Sequence, residues 1–323
     1  MTTTIAERRK LGNSTLQVSP AGIGVMQFAG GGGMFNFMFS KTSQQEKDLI
    51  VKTALDGGVN WFDTAEYYGM GRSERSLRDA LVNNAVQDQD VLIATKWWPT
   101  PRTAKNMYQS IGTRQQNLAG YTIDLFQVHW PFSFSSPEAE MEVMADLVEQ
   151  GKIRAVGVSN FSAEYTQRAH TTLVRRGLGL ASNQVQFSLI HRKIETNGIL
   201  QAAKDLGVSI IAWSPLASGL LSGKFHLQPE VLRNTPIARR LNLSRQLKKT
   251  QPLIDAMDEM AKRHGVTIAQ VAINWVIYFH GETIVAIPGA SKVEHARDAA
   301  AVMSFRLTDE EMDRLDQLSR QYR

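Results

Sequence analysis

Two periods of apolar and polar positions alternate along this chain. Short apolar runs of strand type, bounded by turn residues, recur near residues 21–26, 59–64, 91–96, 125–130, 154–159, 183–187, 209–214 and 283–288. Between them lie longer amphipathic segments near 43–57, 72–83, 104–119, 137–150, 162–176, 196–206, 252–264 with 267–280, and 292–302. The first kind reads as buried strand and the second as helix. Capping chemistry agrees. Ser43 precedes Gln44-Gln45-Glu46 and Ser162 precedes Ala163-Glu164, a cap residue followed by acids at the positive helix end. Gly57, Gly151, Gly177 and Gly207 fall just past helices, where a left-handed cap favours glycine.

Eight strand-then-helix units in strict alternation predict a parallel sheet, and eight is the number that closes a barrel. The expected fold is therefore α/β, a (β/α)8 TIM barrel, with residues 1–323 as one domain. Ahead of it, alternation about Gly12-Asn13 predicts an N-terminal β-hairpin over residues 8–20. At the other end Thr308-Asp309-Glu310-Glu311 opens an extra C-terminal helix. A doubly wound dinucleotide fold would need Gly-x-Gly-x-x-Gly opening a helix, and the Gly30–Gly33 run opens none. Two stretches break the pattern: the Gly, Phe and Met-rich segment 28–40 and the basic segment 215–250. Irregular stretches of that length are usually functional.

Composition removes several classes. There is no cysteine, so disulfides, thiolate catalysis and cysteine metal sites are excluded. Seven histidines show no metal-ligand spacing such as His-Glu-x-x-His, so no metal is expected. The net charge of +5 suits an anionic ligand. No basic run is interleaved with aromatics, which argues against nucleic acid. No apolar run reaches membrane-spanning length and the N-terminus lacks a signal-peptide core. The expected partner is a small molecule and the expected compartment the cytoplasm. Monomer and homo-oligomer stay open.

In a barrel, chemistry sits where the strands finish. Strand two ends at Asp63, with Tyr68 five residues on; strand three ends at Lys96 and strand four at His129. Strand five ends at Ser159-Asn160, strand six opens at Asn183-Gln184, strand seven ends at Trp213-Ser214 and strand eight at Pro288-Gly289. Singly, each has an ordinary structural explanation. Together, a carboxylate, a phenol, an ammonium and an imidazole at adjacent strand ends make a tunable proton donor. A lysine beside a phenol favours phenolate and lowers its pKa, an acid holds the lysine, and a histidine orients the oxygen to be protonated. Such a set suits carbonyl reduction.

These segments carry a resemblance. Asp63-Thr64-Ala65-Glu66-Tyr67-Tyr68-Gly69, Thr95-Lys96, Gln127-Val128-His129, Gly157-Val158-Ser159-Asn160-Phe161, Asn183-Gln184-Val185-Gln186, Ser214-Pro215-Leu216-Ala217-Ser218-Gly219 and Ile287-Pro288-Gly289 make the chain similar to the aldo-keto reductases over almost its whole length. The resemblance implies catalytic residues Asp63, Tyr68, Lys96 and His129, with Tyr68 rather than Tyr67 as the proton donor. It implies NADPH/NADP+ across the barrel mouth, because these side chains supply no hydride. Gly24, Val25, Met26 and Asp63 are expected against that cofactor. Ser159, Asn160 and Gln184 match the carboxamide positions, and Trp213 stands where the family usually stacks a tyrosine on the nicotinamide. Ser214, Pro215, Leu216, Ser218, Gly219, Leu220 and Lys224 are expected near the pyrophosphate. Pro288, Gly289, Ser291, Lys292 and His295 are expected near the adenosine 2′-phosphate, where His295 and Ala299 depart from the family pattern.

The substrate is read from loop aromatics. Phe28, Met34, Phe35, Phe37, Met38 and Phe39, with Trp97, Trp98, Trp130, Phe132 and Phe134, suit a bulky aromatic or aliphatic aldehyde or ketone, Trp98 and Trp130 touching it. Their alternative is packing against one another or against a second subunit. The reaction expected is reduction of that carbonyl to the alcohol. The chain also resembles family members that serve as NADPH-binding regulatory subunits of membrane channels, and slow turnover with tight cofactor binding would favour that alternative. A hydrolase using Asp63 and Glu66 explains neither Lys96 nor the Ser159-Asn160-Gln184 set.

Overall fold

The computed structural model describes residues 7–30, 42–228 and 237–323. A hairpin comes first, β1 (Arg9–Lys10) antiparallel to β2 (Gln17–Val18). Eight parallel strands follow: β3 (Ile23–Gly24), β4 (Trp61–Asp63), β5 (Leu92–Trp97), β6 (Leu125–Val128), β7 (Ala155–Ser159), β8 (Leu180–Gln186), β9 (Ser209–Trp213) and β10 (Ile284–Ile287). They pair in chain order. Bridges from Ala21 to Ala286 and from Gly24 to Gly289 then join the last strand to the first, so the sheet is a closed barrel. The helices between are α1 (Gln44–Asp56), α2 (Arg72–Asn83), α3 (Met107–Asn117), α4 (Pro137–Glu149), α5 (Ala163–Arg175), α6 (Ile199–Leu206), α7 (Lys224–Leu227), α8 (Ile237–His264), α9 (Ile268–Tyr278) and α10 (Val293–Ala301); α11 (Asp309–Ser319) comes last.

The Ser43 and Ser162 hydroxyls accept the backbone N–H of Glu46 at 3.2 Å and of Tyr165 at 3.1 Å, as the cap signals predicted. Such caps contribute about 1 kcal/mol each. Gly57 differs. Its φ is −86°, and Gly58, at 88°, takes the left-handed position. A Cβ on Gly57 would lie 2.4 Å from that of Ala300, so this glycine serves the approach of α1 to α10.

Side chains alternate in and out along each strand. Outward residues such as Phe62, Ile93, Phe126, Val156 and Ile210 pack under the helices as the main core. Inward residues divide by height. Trp61, Ala94, Leu125, Ala155, Ile211 and Val285 form an apolar lower layer, and Leu11, Leu16 and Val18 of the hairpin plug it from below. One step higher, β4 to β6 turn polar residues inward, Asp63, Lys96 and Gln127, and β8 adds Gln184, while Trp213 and Ile287 keep the β9 and β10 side apolar. A register shift puts Gln184 there. Val156 faces Leu180, but the next residue, Gly157, faces Ser182, so β8 bulges by one residue. The bulge turns Gln184 inward, while Asn183 bonds outward to Phe161 and Thr166.

Three sequence readings change. The segment after β9 is shorter than expected, because helix begins at Ile237 and runs through Pro252. The residues before Pro252, Arg245 to Gln251, are mostly strong helix formers, and they outweigh one missing N–H. Phe28 and Trp97 are fully buried core residues rather than walls of a substrate pocket. The Trp97 indole donates to Asn106 at 3.0 Å, which gives its buried N–H a partner. Met34, Phe35, Phe37, Met38 and Phe39 lie outside the described residues.

Candidate active site

The polar upper layer is organised by one carboxylate. Asp63 ends β4 and is 1% exposed. Its Oδ1 accepts from Lys96 Nζ. Its Oδ2 accepts from Gln184 Nε2 at 2.8 Å and Gln127 Nε2 at 3.2 Å. The Lys96 ammonium also donates to the Thr64 carbonyl at 2.8 Å. A buried ion pair is tolerable when further hydrogen bonds satisfy both partners, and here both are satisfied. Gly157 makes the room. A Cβ there would meet Ser182 Oγ at 2.7 Å and Gln127 Cγ at 2.9 Å.

After β4 the backbone folds back over the strand ends. Thr64 N–H bonds the Ala94 carbonyl at 2.8 Å, Glu66 N–H that of Lys96 at 3.1 Å, and Tyr68 N–H that of Ala65 at 3.1 Å. This turn sends the two tyrosines apart. Tyr68 is half-buried, with the Lys96 ammonium 5.1 Å from its ring centroid and its ring edge-on to His129, centroids 5.6 Å apart. Tyr67 is exposed and stacks on Trp98 at 3.9 Å.

The charges follow from this packing. Burial pushes the Lys96 ammonium down, but Asp63 and Tyr68 more than offset this and hold it above its ordinary value. Burial also raises Tyr68, and Lys96 only partly reverses it, so the phenol titrates above its ordinary range. The lysine charge alone would give the lowered value expected from the sequence, but the solvent lost on burial outweighs it. His129 lies well below its usual range, through burial first and Lys96 second, and is neutral.

The groups expected to hold a cofactor form a second patch beside this one. Ser159 Oγ donates to the Gln184 carbonyl at 2.9 Å, Asn160 Nδ2 donates to Ser159 Oγ at 2.9 Å, and the Trp213 indole donates to Asn160 Oδ1 at 3.2 Å. A primary carboxamide carries an acceptor and two donors, and this patch offers both kinds. Above it, Ser214, Ala217, Ser218 and Gly219 all take positive φ, from 47° to 90°. Left-handed backbone costs non-glycine residues about 1–2 kcal/mol each, and such strain concentrates at functional sites. Across the rim, Ser291 Oγ lies 3.4 Å from His295 Nδ1. Burial and the charges of Lys292 and Lys224 lower His295, against Asp298 and Glu294. The elements after β9 and β10 thus place Lys224 and Lys292 near enough for their charges to act on His295. Gly24 accepts from Ala290 N–H at 3.3 Å and donates to the Pro288 carbonyl at 3.0 Å, so it adjoins the same loop. Val25 and Leu220 are buried and Met26 is exposed; the Val25 backbone is taken up within the protein, its N–H donating to the Asp63 carbonyl at 2.9 Å and its carbonyl accepting from Ser73 Oγ at 2.7 Å. Among the described residues, no group of three or more acids and histidines is placed to hold a metal ion, and no helix is long and apolar enough to cross a membrane.

Sequence reasoning passed over Glu66 except as half of a carboxylate pair. Its oxygens accept from the Trp98 N–H at 3.0 Å and from Arg102 at 2.7 Å, with Arg114 at 3.3 Å. It therefore fixes Trp98, whose ring is edge-on to His129 at 5.4 Å. Glu66→Ala is expected to raise the KM for a carbonyl substrate roughly tenfold, about 1.4 kcal/mol of lost positioning, with NADPH affinity unchanged. Steady-state kinetics with fluorescence titration checks this.

A closed parallel barrel with its buried ion pair, phenol and imidazole at the C-terminal rim defines an oxidoreductase of the barrel type. The chain belongs to the Aldo/keto reductase family, which it matches over residues 20–320. It is 32% identical over 321 residues to a chloroplastic pyridoxal reductase of Arabidopsis thaliana, covering 95% of this chain and 85% of that protein. It is 34% identical over 314 residues to an uncharacterized oxidoreductase of Mycobacterium tuberculosis, covering 95% and 91%. Among solved structures it resembles a glycerol dehydrogenase from Gluconobacter oxydans, with a TM-score of 0.79 at 25% identity over 98% of this chain and 96% of that one. An aldo/keto reductase from Klebsiella pneumoniae, solved with NADP and acetate, matches with a TM-score of 0.72 at 25% identity, covering 98% and 96%.

Proposed function

We propose that this protein reduces a bulky aldehyde or ketone to the alcohol, with Tyr68 giving the proton. One observation carries the reading: the buried Lys96 ammonium is bonded to the Asp63 carboxylate and lies against Tyr68, 5.1 Å from its ring centroid. The cofactor is NADPH/NADP+, which supplies the hydride when bound. Ser159, Asn160 and Gln184 would hold its carboxamide and Trp213 its ring. Lys96, fixed by Asp63, places a positive charge behind the Tyr68 oxygen, and this favours loss of the phenol proton as negative charge grows on the carbonyl oxygen. The buried Nδ1 of His129 has no partner among the described residues. A buried lone pair is tolerated better than a buried unpaired N–H, so the proton belongs on Nε2, a donor to the same oxygen. Trp98 and Trp130 wall the site, Trp130 stacked on exposed Phe132 at 5.9 Å; such a rim suits apolar carbonyls.

The test follows NADPH absorbance against a panel of aromatic, aliphatic and sugar carbonyls. Turnover confined to small charged sugars would remove the substrate assignment. For the cofactor, Lys292→Ala is expected to weaken NADPH binding about tenfold or more, the worth of a charge-assisted hydrogen bond, and to leave NADH unchanged. Equal losses for both cofactors would place Lys292 elsewhere than against the 2′-phosphate.

A further inference from the structure

A ring of side chains leaves β5 at Thr95 and returns at Trp98, with Lys96 between. Thr95 Oγ1 donates to Glu74 Oε1 at 2.7 Å, and Glu74 lies on α2, fully buried. Arg114 Nε lies 3.0 Å from Glu74 Oε2, and Arg114 Nη1 lies 3.3 Å from Glu66 Oε1. Glu66 Oε2 then accepts the Trp98 N–H at 3.0 Å, just past the end of β5. Arg114, on α3 and 3% exposed, joins the two acids.

The two acids are held to different degrees. Glu74 is fixed by Thr95 and by Asn117 Nδ2, which donates to it at 2.8 Å. Glu66 has fewer fixed partners. Arg102 donates to it at 2.7 Å, but the Arg102 side chain is 31% exposed, and solvent weakens such a pair. The buried contacts come from α3: Arg114, and Ser110 four residues earlier on the same face, whose hydroxyl donates to Glu66 Oε2 at 3.4 Å. Neither Arg114 Nε nor Nη1 meets hydrogen-bond geometry among the described residues, so charge rather than directed bonding holds both acids. A buried ion contact of that kind is a weak source of stability. What it does fix is the Glu66 carboxylate. Burial first, and the Glu66 charge in smaller part, raise Glu74 above its ordinary value, and Arg114 is the main charge opposing them. Without Arg114 the two acids repel, and Glu66 can swing toward Arg102 and solvent, away from the Trp98 N–H.

We propose that Arg114 is a positioning residue for the carbonyl site: from behind the strand it holds the Glu66 carboxylate on the Trp98 N–H and so sets the Trp98 ring at the mouth. The inference rests on the reduction assigned above. The Trp98 ring stands edge-on to His129 at 5.4 Å, so a loosened ring changes the wall against which a substrate packs. A misplacement of about 1 Å caused far from the chemistry can cost roughly 10²-fold.

Steady-state reduction of benzaldehyde, with NADPH titrated by fluorescence, tests this. Arg114→Met is expected to raise KM about tenfold, the change expected for Glu66→Ala, with kcat and NADPH affinity within about twofold of wild type. The combined Glu66→Ala, Arg114→Met variant should be no worse than either alone, because residues acting through one contact are not additive. An unchanged KM in Arg114→Met, or losses that multiply to about a hundredfold in the combined variant, would overturn the proposal and leave Arg114 a brace between α2 and α3. If Arg114→Met does not fold, Arg114→Lys takes its place, with the same expectations in smaller size, since it keeps the charge but has one nitrogen for two acids. A readout free of turnover separates this from the assigned reaction. In protein labelled with 5-fluorotryptophan, the Trp98 signal, assigned by Trp98→Phe, should shift in Arg114→Met while those of buried Trp61 and Trp275 stay. A fixed Trp98 signal, or equal shifts at all three, would sink the proposal; a wild type that reduces no carbonyl would sink the assigned reaction and leave the Trp98 signal to decide this one.

Discussion

Tyr68→Phe is expected to abolish nearly all carbonyl reduction and to leave NADPH binding intact. General acid catalysis contributes about 10²- to 10⁴-fold, roughly 3 to 5 kcal/mol of barrel-mouth chemistry, and the phenol is the proton source proposed here. The ring stays, so its edge contact with His129 survives and the cofactor patch, which bonds to itself and to Asp63 through Gln184, is untouched. Tyr67→Phe should cost little, because Tyr67 is exposed and its stacking on Trp98 uses the ring rather than the hydroxyl. The pH profile adds a second check. Burial raises Tyr68 despite Lys96, so the phenol keeps its proton through neutrality. Reduction should then stay level up to alkaline pH, while alcohol oxidation, which needs phenolate, should climb with pH. Stopped-flow single turnovers with cofactor titration measure both. Similar losses in the two tyrosine variants would mean that the wrong phenol was assigned.

The barrel was legible because periodicity and strand count suffice for it: eight short apolar runs and eight amphipathic ones leave one parallel architecture. The Asp63–Tyr68–Lys96–His129 cluster was legible through strand ends, since the fold brings every β4, β5 and β6 terminus to one rim. The bulge in β8 was not. Alternation alone gives Asn183 and Gln184 equal claim to the interior, and only the offset between Val156 and Gly157 decides for Gln184. The sign of the Tyr68 shift was also hidden, because a sequence shows the neighbouring charge but not how much water the site excludes. Trp97 and Trp98 make the same point. They are adjacent and identical, yet one lies in the core and the other at the mouth, because consecutive residues at the end of a strand point to opposite faces.

That geometry makes Asp63 the residue whose loss reaches furthest. Asp63→Asn keeps the shape and removes the charge, so Lys96 stays fully buried without its counter-ion. Breaking one side of a buried pair costs about 3–5 kcal/mol, a large share of the stability of an ordinary domain. The pH dependence identifies the cause. In the wild type Lys96 is raised above its ordinary value, so its contribution is complete through neutral pH and fades only as pH rises through that raised value. In Asp63→Asn burial acts unopposed by the acid and the folded-state pKa falls below that of the unfolded chain. The unfolded chain then binds the extra proton, and stability rises with pH toward the ordinary lysine value. Denaturant melts should therefore show a large deficit at neutral pH that narrows as pH approaches about 10. A deficit of constant size would mean that Asp63 acts through its bonds to Gln127 and Gln184 rather than through the charge of Lys96. Turnover should fall in either case, because the ammonium behind the Tyr68 oxygen is either neutralised or misplaced.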